Sequence, residues 1–200
     1  MNRLIKLFIL IILSLSVYFI YNYTNNSKIK ILIIGDYLTD KLNKNKYLSK
    51  YESNHKNYII NKNYIKKDLT INELLLLVKN TSLKKELLES HILLLNIGYN
   101  DYLFKSLLKK NNIINNNPLE EEQIELEELL KEIRKYYKNT IYIIGYPNFN
   151  NNYLLTNKVN TILKEKDITY IDTYNLTKNE NEENNIYRLI IKEIEKTLEK

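Results

Sequence analysis

Two short polar segments carry the residue types that could bind or transform a ligand. They are residues 35–39 (GDYLT) and 98–101 (GYND), and each directly follows an apolar run. Their carboxylates, phenols and amides can hydrogen-bond a polar ligand, and Asp36 with Asp101 offers a pair of carboxylates for acid–base chemistry. The alternative for either aspartate is a cap on a following helix or turn.

The three glycines of the chain all follow apolar runs, at Gly35, Gly98 and Gly145. Glycine allows backbone conformations with positive φ and lets a ligand approach the main chain closely. In open parallel sheets, ligands bind outside the carboxyl ends of the strands. The three glycines together therefore predict a ligand-binding edge, whereas each one alone is also explained by a tight turn.

Short apolar runs predict the strands that position these segments. They lie at 29–34, 92–97, 141–144 and 168–171, with a weaker candidate at 58–60. Continuously apolar strands are typical of a parallel sheet buried on both faces. Helical patterns fill the intervals, at 74–88, 119–138, 153–166 and 185–199. The alternation predicts a doubly wound α/β fold, a three-layer sandwich with a mostly parallel sheet, formed by one domain at 28–200.

The helix at 119–138 has the clearest signals. Asn117 can cap it, and Pro118 suits its first position. The acidic residues 120–122 complement the positive end of the helix dipole. An apolar stripe has the spacing of one buried face and comprises Leu126, Leu129, Leu130, Ile133 and Tyr137. Thr70 is the expected cap of the helix at 74–88.

The N-terminal segment contains an uncharged apolar run at 7–21 (LFILIILSLSVYFIY), preceded by Arg3 and Lys6. Extended to 4–23, it approaches the ~20 residues that a membrane-spanning helix needs. The basic end is expected to stay cytoplasmic, which places the rest of the chain outside. These features predict a signal anchor at 1–23, a linker at 24–27 and a single-pass membrane protein. A cleaved signal peptide is the alternative, although the alanines typical of its cleavage site do not occur in this chain.

Composition limits the possible partners. The net charge is +6, but the lysines alternate with glutamates, so no nucleic-acid partner is expected. The chain has no cysteine, which excludes disulfides and thiolate nucleophiles. No metal-ligand spacing, phosphate-binding loop or dinucleotide fingerprint occurs, so neither a metal nor a cofactor is expected. The abundance of Asn, Lys, Ile and Tyr indicates an AT-rich genome.

On these motifs the chain resembles the SGNH hydrolases, also called GDSL esterases. Members carry GDS(L/Y)T after the first strand, where the serine is the nucleophile, and G-x-N-D after a central strand. Residues 141–148 (IYIIGYPN) and 169–175 (TYIDTYN) are similar to the later course of the same family. The resemblance covers 28–200 and implies that position 37 is the nucleophile position and that Asn100 is the oxyanion-binding position.

Three departures from the family concern catalysis. Tyr37 stands in place of the nucleophilic serine, and the glycine of the family's second block has no counterpart. The D-x-x-H block is replaced by 178–183 (KNENEE), while His55 and His91 come too early in the chain to be its base. A membrane-anchored, extracytoplasmic SGNH-like protein is therefore predicted, impaired in catalysis and binding a partner, a small ester or a cell-envelope ligand.

Two alternatives remain open from the sequence. One is an active esterase or acyltransferase on cell-envelope esters, in which Tyr37 or another non-standard residue does the chemistry; a phenol would need strong activation by a cation for this. The other is the product of a decaying gene without a selected function.

Overall fold

The central sheet has five strands, all parallel, in the order β2-β1-β3-β4-β5. The computed structural model describes residues 3–26, 28–80, 83–114, 117–145, 168–173 and 182–198. The strands are β1 (Ile29–Gly35), β2 (Tyr58–Ile65), β3 (Ile92–Asn96), β4 (Ile141–Ile144) and β5 (Ile168–Ile171). Every predicted strand is present, the weak candidate at 58–60 included, so the predicted parallel α/β sheet is confirmed.

The helices cover both faces of this sheet. In the described ranges they are α1 (Arg3–Asn26), α2 (Tyr37–Lys44), α3 (Tyr47–Asn54), α4 (Ile71–Asn80), α5 (Leu83–Glu89), α6 (Tyr99–Lys110), α7 (Pro118–Arg134) and α8 (Glu182–Leu198). Helices α4, α5 and α7 enclose one apolar core with alternate side chains of the strands. Helices α2, α3 and α8 enclose the other. The strands are therefore buried from both sides, which is why they read as continuous apolar runs.

Several helix boundaries differ from the prediction. The single helix predicted at 74–88 is two helices, α4 and α5, and residues 81–82 lie outside the described residues. Helix α7 ends at Arg134 rather than at 138, yet Tyr137 still reaches the core and is 1% exposed. The helix predicted at 153–166 lies outside the described residues. Helices α2, α3 and α6 were not predicted.

The start of α4 shows how local sequence sets these boundaries. The Thr70 hydroxyl accepts the Glu73 N–H at 3.2 Å, and the Glu73 carboxylate accepts the Thr70 N–H at 3.1 Å. This reciprocal capping box satisfies two amide donors that a helix N-terminus otherwise leaves without partners. Thr70 is thus a cap as predicted, although the helix it caps begins at Ile71.

The N-terminal helix α1 covers most of the predicted anchor at 1–23 and continues through part of the predicted linker to Asn26. Within the described part of the chain, none of the helices combines the length and the apolar character that a membrane crossing requires. The predicted transmembrane span is therefore not found.

Candidate functional site

The segments that follow β1, β2 and β3 meet at the carboxyl edge of the sheet. Gly35 of β1 lies in register with Asn96 of β3. The Asp36 N–H donates to the Asn96 carbonyl at 2.9 Å, and the Lys66 N–H, just after β2, donates to the Gly35 carbonyl at 3.0 Å. These bonds bring the two polar segments predicted from the sequence together at one edge, where ligands of such sheets bind.

Tyr37 is the first residue of α2 and is half-buried. The Lys67 ammonium lies 5.9 Å from the centroid of its ring. Tyr99, at the start of α6, is also half-buried, and burial raises the pKa of its phenol, with Tyr37 and Asp36 adding to the rise. We call Tyr37, Lys67 and Tyr99 the site mouth. Its two phenols and one cation are suited to binding a polar or anionic ligand group.

Asn100, at the position that the resemblance assigns to oxyanion binding, makes contacts within the protein. Its side-chain nitrogen donates to the Lys67 carbonyl at 3.0 Å and approaches the Leu69 carbonyl at 3.4 Å. The amide thereby holds the segment after β2 against the start of α6. An oxyanion hole needs donors that point at the reacting oxygen, and here the donors point at main-chain carbonyls.

Both histidines lie at the amino edge of the sheet, on the side opposite to Tyr37. His91 directly precedes β3, and its Nδ1 accepts the Lys30 N–H at 3.0 Å. His55 ends α3 just before β2, where its Nδ1 lies 2.9 Å from the Tyr51 carbonyl. A strand of five residues spans about 16 Å, far beyond the hydrogen-bond reach that a general base requires.

Three buried carboxyl groups lie beneath the site mouth. Asp36 is 0%, Asp101 7% and Glu122 5% exposed. Asp101 accepts the Ile71 N–H at 3.1 Å and so caps the distant helix α4 rather than its own helix. Asp36 occupies the cap position of α2 but makes no capping bond through its side chain. Both aspartates thus lie buried at the carboxyl edge of the sheet, and Glu122 joins them there as a third carboxyl group that belongs to neither sequence motif.

Glu122 reaches this cluster from α7. Burial, reinforced by the negative charge of Asp101, raises the pKa of Glu122 to about 9. Burial also raises the pKa of Asp101. In the described part of the chain, Glu122 Oε2 is buried and has no hydrogen-bond partner. Glu122 therefore carries a proton at neutral pH, because a second negative charge in this low-dielectric region would be unfavourable. No three His, Asp or Glu side chains within the described ranges are arranged to hold a metal ion.

The sequence contained a signal for Glu122. Glu122 belongs to the acidic first turn of the helix, and it also stands four residues before Leu126, which begins the buried stripe of α7. The stripe extended by one turn toward the N-terminus reaches position 122, and a carboxyl group there must be buried.

The spaces beside the three glycines are filled by side chains of the protein itself. A Cβ at Gly98, where φ is +113°, would lie 2.5 Å from Glu122 Oε1. A Cβ at Gly35 would lie 2.1 Å from the Thr39 hydroxyl, and one at Gly145 would lie 2.1 Å from the Tyr170 hydroxyl. The glycines therefore permit close packing at the carboxyl edge, which accounts for all three without a ligand.

The five-stranded parallel sheet between two helical layers is the fold that the resemblance to SGNH hydrolases implies. No protein-family model matches the chain. No curated protein matches it either. The chain is similar, however, to several solved structures. A variant of Axe2, an acetyl-xylooligosaccharide esterase from Geobacillus, is 15% identical with a TM-score of 0.63, over 84% of this chain and 94% of that one.

Two further solved structures have the same fold. The lipase Lip_vut3 from a goat rumen metagenome is 17% identical with a TM-score of 0.54, over 77% of this chain and 85% of the lipase. LAE5, described as an alpha/beta hydrolase from the metagenome of Lake Arreo, is 16% identical with a TM-score of 0.52, over 72% and 77% of the two chains. Catalytic mutants of Axe2 replace a serine, an aspartate and a histidine. The resemblance in the sequence implies that Tyr37 stands at the position of such a serine. Residues 178–181, where the other two are expected, lie outside the described residues and include no histidine.

Proposed function

We propose that this protein is an SGNH-like domain that binds a ligand or partner at the carboxyl edge of its sheet without hydrolysing an ester. The position of the histidines carries the proposal. His55 and His91, the two histidines of the chain, lie at the amino edge, one strand length away from Tyr37. A hydroxyl nucleophile is activated only when a base lies within hydrogen-bond reach of its proton.

The other polar groups at this edge of the sheet support the same proposal. The side-chain donors of Asn100 point at the carbonyls of Lys67 and Leu69. Tyr37 and Tyr99 place two phenols at the surface of the site, where they can stack on a ligand or hydrogen-bond to it. A sugar or an ester-bearing fragment of the cell envelope fits this chemistry, and the acetylated sugars on which Axe2 acts are suitable probes.

An ester-hydrolysis assay on the full chain in detergent tests this proposal. The substrates are p-nitrophenyl acetate and acetylated xylooligosaccharides, and the matched control is Tyr37→Phe, which keeps the ring and removes the hydroxyl. We expect both proteins to release product at the rate of buffer alone. Rapid turnover that disappears in Tyr37→Phe would instead establish an esterase with a tyrosine nucleophile.

A binding assay tests the positive half of the proposal. Thermal unfolding is followed with and without each acetylated oligosaccharide or cell-envelope fragment. A ligand that binds the folded state raises the midpoint by an amount set by its concentration relative to Kd. The shift should be lost in Tyr99→Ala, which removes one phenol of the site mouth. A shift that survives this substitution would place binding elsewhere.

We further propose that α1 attaches the protein to a membrane in a single-pass arrangement, with the domain on the extracytoplasmic side. The apolar side chains over residues 9–21 are 44–68% exposed. The hydroxyls of Ser14 and Ser16 donate to the carbonyls of Ile11 and Leu13, each at 2.8 Å, so they need no water. A helix that is apolar all round is suited to a lipid environment. For a full crossing, the residues from 4 onward would also have to lie in the apolar layer, as the extended run at 4–23 predicts.

Cysteine accessibility in intact cells tests this arrangement, because the chain has no cysteine of its own. Leu88→Cys places a thiol on the exposed side of α5, where Leu88 is 67% exposed. We expect a membrane-impermeant maleimide to label it in intact cells and the protein to remain with the membranes after an alkaline carbonate wash. Labelling that requires cell lysis would contradict the proposed orientation, and release by carbonate would contradict the attachment.

A further inference from the structure

Helix α6 joins the domain without contributing to its apolar cores. Asp101 is the buried residue of this helix, and among the described residues no side chain of α6 belongs to either core. Most helices of a folded domain are stabilised by an apolar face that packs against their neighbours. The attachment of α6 therefore depends on polar groups at its contacts with α4 and α7.

Charged groups make two of these contacts. The Asp101 carboxylate accepts the Ile71 N–H, at the start of α4, at 3.1 Å. This N–H is one of the donors that a helix N-terminus leaves without a partner in the helix itself. The Lys105 ammonium lies 2.6 Å from the Glu125 carboxylate of α7. Because both contacts involve charges, a change of charge nearby alters their strength.

Glu122 of α7 lies beneath the start of α6. A Cβ at Gly98 would lie 2.5 Å from Glu122 Oε1, so the main chain at the start of α6 covers the carboxyl group. Glu122 is 5% exposed, and within the described ranges its Oε2 has no hydrogen-bond partner. A negative charge on this group would thus lack both a donor and water, and it gains water when α6 moves away.

The groups around Glu122 disfavour its charged form. Burial is the main cause. The charge of Asp101 on α6 acts in the same direction, and so do those of Glu125 on α7 and Asp36 after β1. Lys105 of α6 favours ionisation, but it is paired with Glu125. An ionised Glu122 would therefore repel Asp101, which is the group that bonds α6 to α4.

We propose that α6 is a gate at the site mouth and that the gate opens when Glu122 releases its proton. Helix α6 carries Tyr99 of the site mouth and also Asn100, whose side chain donates to the Lys67 carbonyl at 3.0 Å. Displacement of α6 removes one phenol from the site mouth and releases the segment after β2, so the site becomes wider. As a control on ligand entry the gate rests on the proposed binding function, whereas its opening does not.

The gate opens more as the pH rises. In the closed state the pKa of Glu122 is about 9, and in the open state the exposed side chain ionises near its ordinary value of 4.5. The closed state holds the proton more tightly, so its stabilisation is fully present below pH 4.5 and is lost as the pH rises toward 9. In this window the ratio of open to closed protein rises about tenfold per pH unit, or about 100-fold between pH 6 and pH 8.

Amide hydrogen exchange of the full chain in detergent, measured by NMR, tests the gate, because the Ile71 N–H is bonded to α6. Its protection factor, which is corrected for the intrinsic effect of pH on exchange, reports the fraction of protein in the open state. We expect this factor to fall about 100-fold between pH 6 and pH 8 in the parent and to stay constant in Glu122→Gln. Glu120→Gln, at an exposed position of the same helix, is the matched control and should behave as the parent does.

The Leu94 amide, in the central strand β3, separates opening of the gate from global unfolding. We expect Ile71 to exchange faster than Leu94 and to respond less to urea, because detaching one helix exposes little surface. Equal opening free energies and equal urea dependence at the two amides would refute the gate, and so would the same pH dependence in the parent and in Glu122→Gln. The measurement contains no ligand. A gate that opens in a protein that binds none of the acetylated oligosaccharides or cell-envelope fragments would therefore refute the proposed function and support the gate.

Discussion

Replacing Glu122 with glutamine should stabilise the protein and remove much of its pH dependence. Glutamine has nearly the shape of a protonated glutamate but cannot ionise. Glu122 is 5% exposed and lies near Asp101 and Asp36, so its charged form is strongly disfavoured in the folded chain. In the unfolded chain the same side chain ionises freely near its ordinary pKa.

The size of the effect follows from the pKa of Glu122, which rises from 4.5 to about 9 on folding. The folded state holds the proton more tightly, so the contribution of Glu122 to stability is fully present below pH 4.5 and is lost as the pH rises toward 9. Each pH unit in this window lowers the free energy of unfolding by about 1.4 kcal/mol. Between pH 5 and pH 8 the parent should therefore lose about 4 kcal/mol of unfolding free energy relative to Glu122→Gln.

Urea unfolding followed by circular dichroism at pH 5 and pH 8 measures this difference. The control is Glu120→Gln, an exposed position on the same helix, where we expect a change within about 0.5 kcal/mol at both pH values. Subtracting the unfolding free energy of the parent from that of each variant at the same pH removes the contributions of all other groups. If Glu122→Gln and the parent show the same change between pH 5 and pH 8, Glu122 is ionised in the folded protein and the buried carboxyl cluster is wrongly described.

Two further substitutions test the packing around the site and at the opposite edge. Gly98→Ala should destabilise the fold by at least about 1–3 kcal/mol, because position 98 has a positive φ and the new methyl group would contact Glu122; urea unfolding with an unchanged midpoint would contradict this. Tyr137→Phe should lower the free energy of unfolding by about 1–2 kcal/mol, because the hydroxyl lies 3.0 Å from the carbonyl oxygens of both His91 and Thr140 and shares its one proton between them. Tyr136→Phe is its control, and equal effects of the two substitutions would refute the assigned role of the Tyr137 hydroxyl.

The strands and their parallel arrangement follow from the sequence, because a strand that is buried on both faces has a continuously apolar sequence. The order of the strands in the sheet was not predicted. Every residue of β3 and β4 is buried, so each strand reads as an uninterrupted apolar run apart from Asn96. Helix α6 has no comparable pattern in its sequence. Asp101 is the residue that it buries, so it has no apolar stripe, and its exposed leucines do not differ in pattern from those of a loop. Helices α2 and α3 have eight residues each, which is too short for the spacing of their apolar residues to show a helical periodicity.

The candidate site was only partly predictable for a similar reason. Gly35, Asp36, Tyr37 and Asn100 were found because motif spacing marks the ends of strands. Which groups they contact depends on the tertiary structure. The sequence could not show that Asn100 donates to carbonyls after β2, or that Asp101 caps α4, since both contacts join residues about 30 positions apart. Glu122 lies on a helix that is adjacent to the site only in the folded chain.

The central claim is that this site lacks the histidine base of the SGNH pattern as well as its serine, and the variant Tyr37→Ser tests it most directly. This substitution restores the nucleophile of the SGNH pattern but leaves His55 and His91 at the opposite edge of the sheet. A fluorophosphonate probe labels only activated serines, and p-nitrophenyl acetate reports turnover by the same protein sample. We predict that Tyr37→Ser is neither labelled nor active above buffer. Stoichiometric labelling with ester turnover in this single variant would show that a working base lies within reach of position 37 and would contradict the account.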